Sequence, residues 1–147
     1  MNQKALKTLE YDKIIEMLVS HASSPLGKIR CEELLPSASL GEIEYMQRQT
    51  RDALTRLFKK GSLSFGGAKD VRGSLKRLEI GSSLGITELL NICGLLENSA
   101  RAKAYGRREN EDIPRDSLED LFEALEPLAG LSGEIRRCIL SEDEISN

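Results

Sequence analysis

Apolar residues recur along most of the chain at intervals of three and four, the spacing that places side chains on one face of an α-helix. The clearest stripe begins after Ser39, which has capping-box spacing to Glu42, and ends before Gly61. This segment is therefore predicted to form an amphipathic helix. Its stripe consists of Ile43, Met46, Thr50, Ala53, Leu54, Leu57 and Phe58, and its other sides carry Arg48, Arg51, Asp52 and Lys59.

Similar patterns predict six more helices, separated by glycine, proline and charged turns. The sequence therefore indicates an all-α fold, an irregular multi-helix bundle formed by a single domain over residues 1–147. The loop 61–67, which is bounded by glycines, could form a short extended segment near 62–66. The further predicted helices are one with Leu9, Ile14, Ile15, Leu18 and Val19, one from a Ser24 cap and Pro25 to Pro36, one over Asp70–Glu79 ending at Gly81, one capped by Thr87 and fading near Arg107, one capped by Asp116, and one from Ser132 with Ile135, Ile139 and Leu140 inward.

Composition agrees with helices and narrows the class of protein. Of the 147 residues, 39% are hydrophobic, only 4% are aromatic and none is tryptophan, a balance that favours helices over a sheet sandwich. The net charge of −3 does not indicate a nucleic-acid binder by overall composition. Three widely spaced cysteines fit free thiols in a reducing compartment. Without a signal peptide or a membrane-length apolar run, the sequence predicts a soluble cytoplasmic protein.

No catalytic site, cofactor site or metal site is predicted from the residues. The loop from Gly61 to Gly66 begins like a phosphate loop, but Gly67 and Ala68 stand where lysine and serine or threonine must follow, so a plain turn is favoured. His21 is the only histidine, and it cannot form a catalytic triad or a multi-imidazole metal site by itself. Its position near a helix end favours capping.

Two groups of basic residues are the candidate contact sites. Either group could contact a nucleic-acid backbone, or it could be a solvated helix face or pair with another part of the protein. Acidic neighbours such as Asp70, Glu79 and Glu109 dilute both groups and favour the second interpretation. The first group consists of Lys69, Arg72, Lys76 and Arg77, and the second of Arg101, Lys103, Arg107 and Arg108.

Gly27 raises a separate question, because it falls in the first turn of the helix capped by Ser24. Glycine in a helix costs about 1 kcal/mol relative to alanine. Either it is a tolerated weak point near a frayed end, or its missing Cβ lets another helix or the 61–68 loop lie against the backbone. The second interpretation is preferred.

Several blocks of sequence, in order and at plausible spacing, resemble the N-terminal segment of the bacterial MutS type-2 family. The likeness covers nearly the whole chain, and its MutS-like pattern includes a glycine at Gly27. The blocks are LEYDKIIEML (9–18), HASSPLGK (21–28), ELLP (33–36), DALTRLFKKGSLSFGGAKDVRGSLKRLEIGSSL (52–84) and ITELL (86–90).

The resemblance implies a helical core and lever region, followed in the family by a clamp, a dimerising ATPase domain and a C-terminal small MutS-related nuclease domain. It implies ATP and magnesium as cofactors of the full-length protein, a homodimer, and DNA and the ribosome as targets in suppressing recombination and splitting collided ribosomes. The family's phosphate loop and nuclease motifs do not occur in these residues. The implied role is a non-catalytic coupling module whose partner is the remainder of its own chain; the alternative is a direct nucleic-acid-binding module.

Overall fold

The computed structural model describes residues 3–139, with side chains from residue 4 onward. Within this range the chain forms helices and loops with no β-sheet, which confirms the all-α prediction. Residues 62–65, where an extended segment had room to form, have no regular secondary structure. The helices are α1 Gln3–Thr8, α2 Tyr11–His21, α3 Pro25–Glu32, α4 Leu40–Lys60, α5 Arg72–Glu79, α6 Ile86–Gly106, α7 Glu119–Glu123 and α8 Ala129–Cys138.

Serine caps begin α3 and α4 as the sequence predicts. Ser24 Oγ accepts a hydrogen bond from the backbone N–H of Gly27 at 3.0 Å, and Pro25 occupies the first helical position. Ser39 Oγ accepts from the N–H of Glu42 at 3.4 Å. Gly61 ends α4 with a φ of 80°, a conformation that glycine adopts without a Cβ clash.

The end of α5 is also fixed by a glycine. Gly81 has a φ of 81°, and its N–H donates to the carbonyl of Leu78 at 2.9 Å. The next N–H, of Ser82, reaches back to the carbonyl of Arg77 at 2.9 Å. This pair of bonds is a Schellman motif, which satisfies the last helical carbonyls.

Five predicted helix starts differ from the structure, three of them those of α2, α5 and α6. The first predicted helix is α2, and Leu9 lies before its start because Glu10 takes a left-handed conformation with φ 52°. Helix α1 was not predicted. Helix α5 begins at Arg72 instead of Asp70. Gly85, and not Thr87, is the N-cap of α6, where the Glu88 carboxylate accepts from the N–H of Gly85 at 2.9 Å. For these helices the sequence pattern predicted that a helix forms but not the residue at which it begins, because an N-cap depends on side-chain geometry as well as on residue type.

The last two helices also begin elsewhere than predicted. The N-cap of α7 is Leu118 and not Asp116. The Asp116 carboxylate accepts from the N–H of Leu118, but it is bonded mainly to Arg56. Helix α8 starts at Ala129 after a left-handed Leu128, so Ser132 lies inside its first turn. Leu140 and the acidic tail after it lie outside the described residues.

The apolar core lies around α6, which packs against α7 and α8. Cys93 on α6 is fully buried beside Ile135 and Ile139, the two residues predicted to face inward from the last helix. The pKa of the Cys93 thiol is raised by this burial. Partly buried apolar residues of α6 complete the core, namely Ile86, Leu89, Leu90 and Ile92.

A second, smaller group of helices forms the N-terminal end. Helix α2 packs against α1 and α3. Tyr11 Oη donates to the carbonyl of Leu34 at 2.9 Å and so ties the start of α2 to the segment after α3.

Helix α4 buries its polar face, although its sequence predicts that the apolar face is buried. An apolar stripe on a helix ordinarily faces the core. On α4 the buried residue is Arg56, whereas Leu54, Leu57 and Phe58 are exposed. The stripe is present, but the described part of the chain does not cover it.

The accessible surface of the chain reflects this arrangement. It measures 10926 Å², for a mass of 16.3 kDa. A compact monomer of that mass exposes roughly 7,500 Å². The chain therefore leaves far more surface open than an independent domain of its size ordinarily does.

Candidate functional site

Two of the four basic residues in the α5 group are engaged within the chain. Arg72 forms a two-pronged ion pair with Asp70, and its hydrogen bonds lower the pKa of that carboxyl to about 2. Arg77 donates to both oxygens of Glu88 at 2.9 Å and to the carbonyl of Ser83. The pKa of Glu88 is lowered, first by the N–H of Gly85 and then by Ser74 and Arg77. Arg77 therefore ties α5 to the start of α6.

Two of the four basic residues in the α6 group are engaged in the same way. Lys103 Nζ donates to the carbonyls of Glu123 and Leu125, at 3.0 and 2.7 Å, and so caps the C-terminal end of α7. Arg108 pairs with the buried carboxylate of Glu119 at 2.8 Å and donates to the carbonyl of Ile113. Both residues act inside the fold.

The other four basic residues of the two candidate groups form no ion pair or hydrogen bond through their side chains with the rest of residues 3–139. All four are exposed, so their charges face solvent. Arg101 lies beside the glycine turn, where a Cβ built on Gly67 would be 3.7 Å from Arg101 Nη2. These residues, which we call the unpaired cations, are Lys69, Lys76, Arg101 and Arg107.

A buried ionic cluster, not anticipated from the sequence, joins α4 to the far end of α6. Arg56, only 8% exposed, donates to Asp116 at 2.5 and 2.8 Å and to the carbonyl of Gly106 at 2.9 Å. Its guanidinium also lies 5.0 Å from the ring centroid of Phe122. We call Arg56, Asp116, Gly106 and Phe122 the Arg56 cluster.

Electrostatics favour the charged forms in this cluster. The hydrogen bond that Arg56 donates to Asp116 lowers the pKa of Asp116 and raises the pKa of Arg56. One turn earlier on α4, Asp52 accepts from the hydroxyl and the N–H of Ser117, at 2.6 and 2.9 Å. These bonds lower the pKa of Asp52. A sequence signal was available, since Asp52 and Arg56 are four residues apart, but their partners are about 60 residues away.

Lys60 extends the same face of α4 by another turn. Its Nζ donates to the carbonyls of Tyr105, at 3.1 Å, and Arg107. These carbonyls lie at the C-terminus of α6, where a cation is favoured by the helix dipole and by the unsatisfied carbonyl groups. The C-terminus of α6 therefore draws the polar face of α4 towards it.

Close backbone approach occurs at Gly106 instead of at the position the sequence suggested. A Cβ built on Gly106 would overlap Cβ and Cγ of Phe122, and would lie 3.0 Å from Cδ2. Glycine is therefore required where α6 meets α7. Its place at the end of a predicted helix did not indicate this, because a glycine there is typical of an ordinary helix C-terminus.

The surroundings of Gly27 are local. A Cβ built there would lie 3.0 Å from Ser24 Oγ and 3.7 Å from Ala22 Cβ. No atom of the described 61–68 loop comes within 4 Å, so that loop is not the close neighbour. The loop packs on α6 instead, where Asn98 Nδ2 donates to the carbonyl of Ser64 at 2.9 Å and Gly67 lies against Gly94.

Two cavities border the segment between α6 and α7. They have volumes of about 490 and 420 Å³ and share Arg107, Arg108, Glu109 and Glu119 in their walls. Ligand pockets are usually lined mainly by apolar and aromatic side chains. These walls are instead built largely of charged side chains, several of them paired with one another, as Arg108 is with Glu119.

Among residues 3–139, no group of three or more histidine, cysteine or acidic side chains is placed to hold a metal ion. Over the same range, the helices are too short or too polar to cross a lipid bilayer.

Comparison with known proteins gives one consistent result. Over its whole length the chain is 52% identical to the endonuclease MutS2 of Lachnoclostridium phytofermentans and 51% identical to that of Agathobacter rectalis, and it covers 19% of each. It is 39% identical to the endonuclease MutS2 of Acetivibrio thermocellus, again across the whole chain and 19% of the relative. No protein-family model matches the chain. The chain thus spans about a fifth of the length of the curated relatives it matches.

Proposed function

From the premise that this chain belongs to the MutS2 family, as an N-terminal segment of it, we propose that it is a non-catalytic coupling module of a longer ATPase and endonuclease. The observation that carries the proposal is that the whole chain is similar to about a fifth of the length of each of three endonuclease MutS2 proteins. On this proposal residues 1–147 form one helical core domain, and the partner of the module is the remainder of its own chain.

The internal structure supports a mechanical role. Arg56, Asp52 and Lys60 join α4, by an ion pair and hydrogen bonds, to the C-terminal end of α6 and to the segment that follows it. Helix α6 in turn packs against α7 and α8. Packed helices with charged contacts have few alternative arrangements, so a movement imposed on one helix is passed to the others.

The whole protein would supply the chemistry that this segment does not. We propose that it binds ATP and magnesium outside this segment, forms a homodimer, and acts in the cytoplasm on DNA, in suppressing recombination, and on collided ribosomes, in splitting them. On this proposal the segment itself holds no cofactor. Its contribution is to connect movement of the ATPase to the parts that contact DNA or the ribosome.

Hydrogen exchange on the full-length protein tests the coupling. Amide exchange of residues 40–106 is measured with and without a non-hydrolysable ATP analogue. We expect slower exchange at the α4 and α6 ends joined by Arg56 when the analogue binds. Unchanged exchange across the segment, with saturated nucleotide binding, contradicts coupling. Hydrolysis of ATP or nucleic acid by the purified 147-residue chain contradicts the non-catalytic assignment.

The alternative, direct nucleic-acid binding, is favoured by the unpaired cations. Lys69, Lys76, Arg101 and Arg107 have no ion pair within residues 3–139, so binding phosphate would break no such contact there. A module that uses them would bind duplex DNA or structured RNA with a steep salt dependence.

A salt titration separates the two functions. Alanine at all four unpaired cations is compared with alanine at Lys7, Arg48, Arg51 and Lys59, which removes the same formal charge. Binding lost in the first variant and kept in the second supports the nucleic-acid module. Weak binding that falls equally in both indicates a general charge effect and leaves the coupling module as the better account.

A further inference from the structure

The cavity of about 490 Å³ lies between α4 and the segment that follows α6, and we call it the junction cavity. Its volume falls in the range of small-molecule pockets, roughly 300–1,000 Å³. Ile113 and Pro114 form a small apolar part of its wall, and most of the rest is charged. The charged side chains are five basic residues, Arg56, Lys59, Lys60, Arg107 and Arg108, and four acidic residues, Asp52, Glu109, Asp116 and Glu119.

Most of the acidic charge in this wall is already bonded within the protein. Asp116 forms an ion pair with Arg56 at 2.5 Å. Oε1 of Glu119 forms an ion pair with Arg108 at 2.8 Å. Asp52 accepts two hydrogen bonds from the start of the segment before α7. These carboxylates therefore do not compete strongly for a ligand in the cavity.

Three cationic groups of the same wall have no such partner. Lys59 and Arg107 are exposed, and their side chains form no ion pair or hydrogen bond with the rest of residues 3–139. Arg108 donates through Nε and Nη1, whereas its Nη2 forms no hydrogen bond within that range. Only Glu109 among the acidic wall residues is likewise unpaired there. We call Lys59 Nζ, the Arg107 guanidinium and Arg108 Nη2 the cavity cations.

The cavity cations match a phosphate group. Arg107 and Arg108 are adjacent in sequence, and the carbonyl of Arg107 accepts a hydrogen bond from Lys60, the neighbour of Lys59 on α4. Guanidinium groups bind phosphate oxygens through paired N–H donors, and a lysine adds a point charge. A phosphate monoester carries about two negative charges at pH 7, so it suits three cationic groups better than a single carboxylate does.

Glu119 adds an independent observation about the rest of the ligand. It is only 4% exposed and lies in the walls of both cavities that border the segment between α6 and α7. Its Oε2 is buried and forms no hydrogen bond with the described residues. The large majority of buried polar atoms have a partner. A ligand hydroxyl can supply the missing donor, as when a carboxylate binds a ribose hydroxyl in dinucleotide-binding folds.

We propose that the junction cavity binds a ribose phosphate, whose phosphate contacts the cavity cations and whose hydroxyl groups face Glu119. A free sugar phosphate and a mononucleotide both carry this group. The site goes beyond the coupling role and does not depend on it. Because Lys59 lies on α4 and the two arginines follow or end α6, a bound phosphate would bridge the same two elements that Arg56 joins.

Protection of Lys59 from acetylation tests the proposal in the full-length protein. Acetylation by an N-hydroxysuccinimide ester is quantified by mass spectrometry at rising concentrations of ribose 5-phosphate. This compound lacks the base and the polyphosphate of ATP, so binding at the proposed ATPase is minimised. Lys76 is the control, because it is also exposed and unpaired within residues 3–139 but lies in neither cavity wall. We expect protection of Lys59 and none of Lys76.

Inorganic phosphate and ribose separate the two parts of the ligand. Ribose alone should give no protection, because it lacks the charged group. Half-maximal protection should need about tenfold more inorganic phosphate than ribose 5-phosphate, because the hydroxyl bond to a buried carboxylate is lost. Adenosine and uridine monophosphates then identify the source. Protection at lower concentrations than with ribose 5-phosphate indicates a nucleotide, and protection at equal or higher concentrations indicates a free sugar phosphate.

A pair of variants locates the phosphate. Arg107→Ala should raise the concentration of ribose 5-phosphate needed for half-maximal protection by about tenfold, because a charge-assisted contact is lost. Arg101→Ala is the matched control, since it removes an exposed and unpaired arginine of α6 that is absent from both cavity walls. It should leave that concentration unchanged.

Three results would overturn the proposal. They are the absence of Lys59 protection by ribose 5-phosphate and by both mononucleotides, equal protection by inorganic phosphate, and equal weakening in the Arg107→Ala and Arg101→Ala variants. The measurement does not involve nucleotide-dependent hydrogen exchange. Failure of this site therefore leaves the coupling module standing, and failure of coupling leaves the site standing.

Discussion

Helices α4 and α6 are equally long, 21 residues each, yet they bury different kinds of side chain. On α6 the buried residues include Cys93, Ala102 and Gly106, which are small and let neighbouring elements approach. On α4 the buried residue is an arginine. The sequence of α4 is amphipathic, yet its apolar stripe did not decide which face is inside. The carbonyls at the C-terminus of α6 did, because they bind the cations of α4.

The Arg56 cluster should account for the largest mutational effect. Arg56→Ala removes the guanidinium that donates to Asp116 and to the carbonyl of Gly106, and leaves the Asp116 carboxylate with the N–H of Leu118. We expect the free energy of unfolding to fall by about 3 kcal/mol. Arg48→Ala, on the exposed part of the same helix, should change it by less than about 0.5 kcal/mol. Urea unfolding of the 147-residue chain measures both, and equal effects would show that the cluster does not hold α4.

The glycine at the end of α6 should give the next largest effect. Gly106→Ala forces a Cβ into Phe122, so stability should fall by about 1–3 kcal/mol through overpacking. Gly73→Ala in α5 is the matched control, because a Cβ there meets no atom within 4 Å. That substitution should instead stabilise by up to about 1 kcal/mol. The same sign for both in thermal unfolding would contradict the close approach of α6 and α7.

Acid should weaken the contact between α4 and the segment after α6. The pKa of Asp116 is lower in the folded chain than the ordinary value of about 3.9, so the unfolded state binds more protons as pH falls through that range. Stability from this carboxylate is present above about pH 4 and is lost as pH falls towards the folded pKa, by at most about 1.4 kcal/mol per pH unit.

Asp116→Asn isolates this contribution. The variant should be less stable than the parent chain at pH 7 and should lose less stability on acidification. Chemical unfolding at several pH values between 3 and 7 gives both slopes. Parallel slopes would assign the acid sensitivity to other carboxylates.

Leucine truncation compares the two helices directly. Leu54→Ala on α4 removes a half-exposed side chain and should cost less than about 0.5 kcal/mol in the isolated chain. Leu89→Ala on α6, beside the apolar core, should cost about 1–2 kcal/mol, reduced from the fully buried value by its partial burial. If Leu54→Ala were the costlier change, the apolar face of α4 would already be covered in the isolated chain.

Gly27 should give the smallest effect. Alanine gains helix propensity, but its Cβ lies at 3.0 Å from Ser24 Oγ and disturbs the cap bond. These terms oppose each other, so Gly27→Ala should change stability by less than about 0.5 kcal/mol. A clear rise in melting temperature would show that Ser24 adjusts without loss.

Local features of the sequence determined the helices and several of their ends. Serine caps, Pro25 and Gly81 act through bonds that span a few residues, so their effects can be predicted from spacing alone. The predictions for Thr87, Asp116 and Ser132 were wrong as helix starts because other hydrogen bonds or backbone turns were available at those positions. For the candidate contacts, the sequence located eight basic residues but could not separate the paired from the unpaired.

The tertiary structure alone decided which side of α4 is buried and which cations remain open. The partners of Asp52 and Arg56 lie 65 and 60 positions further along the chain, at Ser117 and Asp116, so no local pattern connects them. Periodicity shows that a helix has an apolar face, but what covers that face depends on the elements that pack beside it. On α4 the ionic contacts at the end of α6 hold the polar face inward, and the apolar face is left outward.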